Sequence, residues 1–163
     1  MPWFSRAGGI KVLNADRLTI KAGEAIQAAV AEAQRRGNPT LEDVHVLRAL
    51  LEQEGTIAVP ILQKVGVRIP RLEEELEREL ERLPKQTGGV MPSVSRELNQ
   101  IFGRAEEEAR GLGDEYISTE HLLIALAGQK GSTTRDLLSA QGATREALLT
   151  ALEAVRGPHR VTD

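Results

Sequence analysis

The sequence of 163 residues contains no cysteine and very few aromatic residues, and both shortages restrict what the protein can be. Without cysteine the chain has no disulfide, no thiolate nucleophile and no thiolate ligand for zinc, which fits a reducing compartment. With two phenylalanines, one tyrosine and one tryptophan, the core has to be built from Leu, Ile, Val and Ala. The hydrophobic fraction of 40% is sufficient for such a core.

The sequence also lacks a strong charge excess and a long apolar run. The net charge of −3 gives no basic footprint for nucleic acid. No apolar run approaches the roughly 20 residues that span a bilayer, and the N-terminus lacks the apolar segment of a secretory signal. We therefore expect a cytoplasmic protein with neither a nucleic acid nor a membrane as its partner.

Motifs for common enzymatic chemistry are missing as well. The sequence has no G-x-x-x-x-G-K-[ST] phosphate loop, no G-x-G-x-x-G, no G-x-S-x-G and no H-E-x-x-H. These absences leave little catalytic chemistry, and they predict that this segment does not hydrolyse ATP by the phosphate-loop route.

A long internal repeat dominates the sequence. Residues 44–50 (Val-His-Val-Leu-Arg-Ala-Leu) return at 120–126 (Glu-His-Leu-Leu-Ile-Ala-Leu), 76 positions later. The same offset aligns Gly37 with Gly113 and Gln53 with Gln129 without a gap. Because self-similarity at a fixed period indicates a duplicated structural unit, the chain is predicted to contain two related halves.

Apolar residues at three- and four-residue steps predict four helices in each half. Thr19 is a plausible N-cap, Pro70 suits the first turn of a helix, and Gly66 is a typical helix end. The predicted helices cover about residues 19–36, 42–52, 57–65, 70 onward, 95–112, 118–127, 132–141 and 144 onward. Each half has a narrow aliphatic face that needs a partner, so we expect an all-α fold in which the halves pack as one pseudo-two-fold globule.

The repeat also sets the domain limits. Residues 1–15, which include Trp3 and Phe4, match nothing later and are interpreted as an extension that is disordered or foreign to the natural protein, with a hydrophobic anchor as the alternative. Residues 16–156 form the domain: repeat one covers about 19–84, a flexible connector 85–94, and repeat two 95–156. Residues 157–163 have no apolar periodicity and are interpreted as the start of a linker to an ATPase domain.

Two histidines occupy equivalent places in the repeats, and three interpretations of them stay open. His45 and His121 are packed core residues, or they bind a metal together across the pseudo-dyad, or His121 acts with Glu120 as an acid–base pair. Core packing is favoured because Val44 precedes His45, so the histidine recurs without the carboxylate. Asp114 and Glu120 flank the start of the sixth helix, where negative charge stabilises the helix N-terminus.

Several short motifs resemble one known family. The paired Glu-His-Leu-Leu-type helices, the Gly-Ala-Thr turn at 142–144 and the Gly-Gly connector resemble the Clp N-terminal domain, which contains a double Clp repeat. The segments that narrow the resemblance to ClpB-type AAA+ disaggregase chaperones are Asp-Arg-Leu-Thr at 16–19, Arg-Leu-Pro at 82–84, Gly-Asp-Glu-Tyr-Ile-Ser at 113–118, and Arg156, Gly157 and Arg-Val-Thr at 160–162.

The resemblance implies a function in protein disaggregation during stress. In the family this domain sits on a mobile linker above a hexameric ATPase ring, engages unfolded or aggregated polypeptide and helps to pass it to the central pore. The resemblance implies that this domain is not itself an enzyme and has no cofactor. It also implies ATP and Mg²⁺ in the ATPase domains of the same chain, and a homohexameric parent. The alternative is an adaptor-docking domain of a protease-linked ClpA or ClpC unfoldase. Val44 disfavours the ClpC type, which has glutamate at this position.

The resemblance also implies a binding site. ClpB-type domains use a threonine near the start, and an aspartate and a glutamate that bracket the second Glu-His-Leu-Leu helix, next to an apolar groove on the first helix of repeat two. The candidate substrate-binding residues are therefore Thr19, Leu98, Phe102, Asp114, Tyr116 and Glu120. Core packing is the alternative role for Phe102.

Overall fold

Eight α-helices follow one another along the residues that the computed structural model describes, 15–89 and 91–157. A short 3-10 helix, Ala15–Arg17, precedes them, and two strands of two residues each lie between them. The elements are α1 (Ile20–Arg36), β1 (Thr40–Leu41), α2 (Asp43–Glu52), α3 (Ala58–Val65), α4 (Ile69–Arg82), β2 (Ser93–Val94), α5 (Arg96–Gly111), α6 (Thr119–Gly128), α7 (Thr133–Ala140) and α8 (Arg145–Arg156). The predicted all-α fold of two groups of four helices is confirmed.

The helix ends follow local chemistry. The Thr19 side chain accepts a hydrogen bond from the Ala22 N–H, so α1 begins where the sequence predicts a cap. The chain leaves α1 at Gly37, with φ of 74°, and leaves α3 at Gly66, with φ of 105°. Both are left-handed conformations that glycine adopts without steric cost.

The two short strands were not predicted from the sequence. Ser93–Val94, at the end of the segment 85–94 that was interpreted as a flexible connector, pairs in parallel with Thr40–Leu41. A strand of two residues is too short to show the alternation of apolar and polar residues from which strands are predicted. Its pairing depends on tertiary structure and not on local sequence.

The backbone pairing is reciprocal between the repeats. Leu41 of repeat one pairs with Val94, and Leu18 pairs with Ile117 in an isolated parallel bridge. Leu41 and Ile117 occupy equivalent positions, 76 residues apart, and so do Leu18 and Val94. The two pairings are therefore the same contact, made once from each repeat. The hydrogen bonds match too, with Thr19 N to Ile117 O at 3.0 Å and Ser95 N to Leu41 O at 3.1 Å.

One hydrophobic core joins the two repeats. It is aliphatic as predicted, with Phe102 as its only aromatic side chain among the described residues. A polar contact also crosses the repeats inside the protein: the buried Asp43 carboxylate accepts hydrogen bonds from the Thr134 N–H at 2.9 Å and from its hydroxyl at 3.1 Å. The predicted packing of the halves against each other is therefore confirmed.

Two predictions fall on the ends of the chain. The extension was assigned to residues 1–15, of which only Ala15 lies among the described residues, in the 3-10 helix. The linker was assigned to residues 157–163, of which only Gly157 is described. The interpretations of Trp3, of Phe4 and of the rest of the linker lie outside the described residues.

Candidate functional site

Thr19 and Glu120 lie on the border of one open cavity between the repeats. The cavity has a volume of about 390 Å³, and it is bordered by the start of α1, the residues before α3 and the start of α6. The reciprocal backbone pairing brings these elements together, because Thr19 N donates to the carbonyl oxygen of Ile117, just before α6. Two of the candidate residues, far apart in sequence, are thus placed at the same site.

Glu120 gives this cavity a nearly enclosed carboxylate. Its exposed fraction is 8%, and its only hydrogen bond to a described residue comes from the neighbouring Thr119 hydroxyl, at 3.4 Å. No ion pair with a described residue involves Glu120, although Lys21 borders the same cavity. The Glu120 carboxylate therefore has unused capacity to accept hydrogen bonds from a bound molecule.

The apolar side of the cavity comes from residues that the sequence analysis did not assign to the site. Ile20 is 81% exposed, the highest value among the large hydrophobic residues described, and Ile57 borders the cavity from the segment before α3. A signal for Ile20 exists in the sequence, since it directly follows the Thr19 cap and lies off the inner face that contains Ala22 and Ile26.

Asp114 does not border the cavity. Its side chain has no exposed surface; it accepts a hydrogen bond from His121 Nε2 at 2.7 Å and pairs with the Arg156 guanidinium at the end of α8. Asp114 does precede α6, as expected from the sequence. Its carboxylate, however, is used inside the protein and supports the loop before α6.

The two histidines hold helix ends. The Ser118 N–H donates to His121 Nδ1 at 2.8 Å, and the Glu42 N–H donates to His45 Nδ1 at 2.9 Å. Each Nε2 therefore carries the proton, and His45 Nε2 lies 2.8 Å from Asn38 Oδ1, as His121 Nε2 does from Asp114 at 2.7 Å. Both rings are fully buried.

This geometry bears on the three interpretations of the histidines. Burial lowers the pKa of His45 to about 4 and lowers the pKa of His121, which the hydrogen bond to Asp114 partly opposes. Both nitrogens of each ring are thus engaged by hydrogen bonds inside the protein, which favours the interpretation of His45 and His121 as packed core residues. Among the described residues no group of three or more His, Cys, Asp or Glu side chains is arranged to hold a metal ion.

The groove expected from Leu98 and Phe102 is not on the surface. Both side chains have no exposed area and belong to the core, so the core-packing alternative describes Phe102 in this structure. The physical reason is the helical period of α5, which turns both residues toward α6. Tyr116 is partly exposed in the loop before α6 and does not border the cavity.

Comparison with known proteins agrees with this architecture. The profile of the Clp repeat (R) N-terminal domain matches residues 17–154. The chaperone protein ClpB of Rhodopirellula baltica is 39% identical over 148 residues, and that of Mycobacterium tuberculosis is 41% identical over 145 residues. These alignments cover 91% and 88% of this chain but 17% of each relative.

Solved structures share the fold. The Hsp104 N-terminal domain of Candida albicans aligns with a TM-score of 0.78 at 20% identity, over 90% of this chain and 95% of that one. A complex of the ClpV N-domain with a VipB peptide aligns with a TM-score of 0.70 at 16% identity, over 90% and 91% of the chains. Within the described residues, no helix is both long and apolar enough to cross a bilayer. The duplicated four-helix repeat, its reciprocal pairing and the profile match over residues 17–154 show that the chain belongs to the Clp repeat N-terminal domain family.

Proposed function

We propose that the chain is the N-terminal substrate-binding domain of an ATP-dependent protein disaggregase of the ClpB type. It binds unfolded or aggregated polypeptide weakly in the cytoplasm and passes it to a hexameric ATPase ring. The parent chain contributes its own ATPase domains to this ring as one of six identical subunits, and ATP and Mg²⁺ act there. The cavity shared by Thr19, Ile20 and Glu120 carries the proposal.

The chemistry of this cavity suits an unfolded polypeptide. Ile20 and Ile57 offer apolar contact, and the Glu120 carboxylate accepts hydrogen bonds from main-chain or side-chain N–H groups. Folded proteins bury most of their apolar side chains and pair their main-chain N–H groups, whereas unfolded chains present both together. The cavity therefore recognises the unfolded state and not a particular sequence.

The shape of the cavity supports weak binding. The cavity is open and shallow and has few polar anchors, for which we expect dissociation constants of about 1 mM to 1 µM, or about −4 to −8 kcal/mol. Weak binding suits a domain that has to release its substrate to a motor. The relatives named ClpB and the ClpV N-domain solved with a peptide support a polypeptide as the ligand.

Chemical-shift mapping with a reduced and alkylated unfolded protein tests the proposal, with the native form of that protein as the control. We expect shifts at Thr19, Ile20 and Glu120 with the unfolded form only. Ile20→Ser should weaken binding about fivefold, because part of an isoleucine side chain loses apolar contact, and Glu120→Gln should also weaken it. The melting temperature of Ile20→Ser should stay unchanged because the side chain is 81% exposed.

A matched control is Glu74→Gln, on the exposed face of α4. It should leave binding unchanged. Shifts at the cavity with a folded adaptor protein, and none with the unfolded probe, would instead support the adaptor-docking alternative.

A further inference from the structure

A second groove lies between the end of α5 and α8, away from the Thr19 cavity. It has a volume of about 690 Å³, and Leu112, Leu149 and Leu152 form its apolar lining. Glu153 and Arg156 supply its charged groups. The Arg156 guanidinium is already paired with Asp114, so the unneutralised charge in the groove is that of Glu153.

The equivalent place in repeat one is closed by an arginine of the chain itself. Arg36, 76 positions before Leu112, ends α1 and places its guanidinium 2.8 Å from the carboxylate of Glu77 on α4. Arg48 of α2 pairs with the same Glu77 oxygen at 2.9 Å. The Arg36 side chain is only 17% exposed, and its guanidinium also pairs with Glu32 of α1, so this arginine links α1 to α4 in a largely covered position.

Repeat two keeps the acid and loses both arginines. Glu153 is the counterpart of Glu77, whereas Leu112 and Ile124 stand where repeat one has Arg36 and Arg48. Glu153 makes no ion pair within residues 15–89 and 91–157. The groove in repeat two is thus the same inter-helix space with its arginine removed, with an apolar lining and an unpaired carboxylate at the rim.

We propose that this groove binds an arginine side chain of a polypeptide ligand. The aliphatic part of that arginine packs on Leu112 and Leu149, and its guanidinium pairs with Glu153, as Arg36 pairs with Glu77 in repeat one. The inference rests on the proposed function only in taking the ligand to be a polypeptide. It adds a second contact point and a preference for basic residues within apolar segments.

Two short peptides test the preference directly. Both contain the same leucine-rich sequence, one with a central arginine and the other with citrulline, which keeps the shape and removes the charge. We expect the arginine peptide to bind about two- to fivefold more tightly, the range of an exposed ion pair, and to shift the resonances of Leu112, Leu149 and Glu153. Glu153→Gln should abolish the difference between the peptides, whereas Glu74→Gln should preserve it.

A closing variant gives the sharper test. Leu112→Arg restores the arginine of repeat one and should fill the groove from within. We expect this variant to retain or raise the melting temperature and to lose the peptide-induced shifts in the groove, while the shifts around Thr19 and Glu120 persist.

The outcomes separate this inference from the proposed function. Equal affinity for both peptides, or groove resonances that do not respond to them, would overturn the arginine site even if the Thr19 cavity still binds. If no unfolded chain shifts the Thr19 cavity while the arginine peptide still shifts the groove, the proposed function fails and the groove inference stands.

Discussion

At the scale of single residues, the duplication supplies an internal comparison for each buried polar group. His45 and His121 hold equivalent helix ends, but His45 is bonded to the neutral Asn38, whereas His121 is bonded to Asp114, which also pairs with Arg156. The position equivalent to Arg156 is Leu80, a fully buried core residue. Repeat one therefore shows that the fold can be built at this place without charge.

The buried His45 makes stability depend on pH. Burial lowers its pKa from 6.5 to about 4, so between these values the unfolded chain binds more protons than the folded chain. The free energy of unfolding should therefore fall as pH decreases from 6.5 to 4, by roughly 3 kcal/mol for this residue. The free energy of unfolding, measured with urea at several pH values, should change less with pH in His45→Gln than in the unmodified protein. An unchanged pH dependence would contradict the assignment.

The Asp114–Arg156 pair gives a second residue-scale prediction. Asp114→Asn leaves the guanidinium of Arg156, whose side chain is 9% exposed, without its carboxylate, which should destabilise the domain by about 3 kcal/mol. The double variant Asp114→Asn/Arg156→Leu copies Asn38 and Leu80 of repeat one and should recover most of that loss in urea unfolding. If the double variant is less stable than the single one, the equivalence of the two sites is wrong.

At the scale of elements, the helix ends are where the sequence was most informative. Thr19, Gly66 and Pro70 predicted ends that the structure places within a residue or two, because caps and breakers act through local backbone geometry. The Ser93–Val94 strand was missed because its hydrogen bonds go to a segment about 50 residues earlier. No local pattern encodes such a pairing.

One helix end depends on the other repeat and can be tested separately. The Asp43 carboxylate of α2 accepts hydrogen bonds from the Thr134 N–H and hydroxyl in the first turn of α7. Asp43→Ala should destabilise the domain by about 2 kcal/mol, because the buried Thr134 N–H loses its acceptor. The Thr134 hydroxyl keeps the Leu126 carbonyl oxygen, at 3.0 Å, as an acceptor. Amide hydrogen exchange should rise at Thr134 and along α7 more than along α3, which has no such contact. Equal changes in α3 and α7 would contradict the assignment.

The candidate site shows where sequence reasoning ends. Thr19 and Glu120 were assigned from the family resemblance and meet at one cavity, although nothing local in the sequence predicts their proximity. Leu98 and Phe102 were assigned to a groove in the same way. The helical period of α5, however, predicts that both residues face inward, and both side chains are fully buried in the structure. Ile20 was missed although its position off the inner face of α1 can be read from the sequence, because that position does not show that a cavity lies beside it.

At the scale of the whole molecule, the two repeats share one core, and neither has a complete one. Helices α2 and α6 pack against each other across the pseudo-two-fold axis, and α3 packs on α8. Separate fragments covering residues 15–89 and 91–157 should each fail to unfold cooperatively, because each exposes a face that the other covers. Circular dichroism should show a cooperative transition only after mixing. Cooperative unfolding of one fragment alone would contradict the shared core.

The matching pairs Leu18–Ile117 and Leu41–Val94 have a consequence for assembly. Each is one half of an isologous contact, the kind by which identical subunits form a two-fold dimer. Fusing the subunits through the 85–94 segment turns a bimolecular encounter into an intramolecular one, with an effective concentration on the order of millimolar. The fused domain therefore keeps its dimer-like interface at any dilution. Because the halves stay together, their sequences can differ: Arg36 closes the space between helices in repeat one, and the equivalent groove in repeat two stays open.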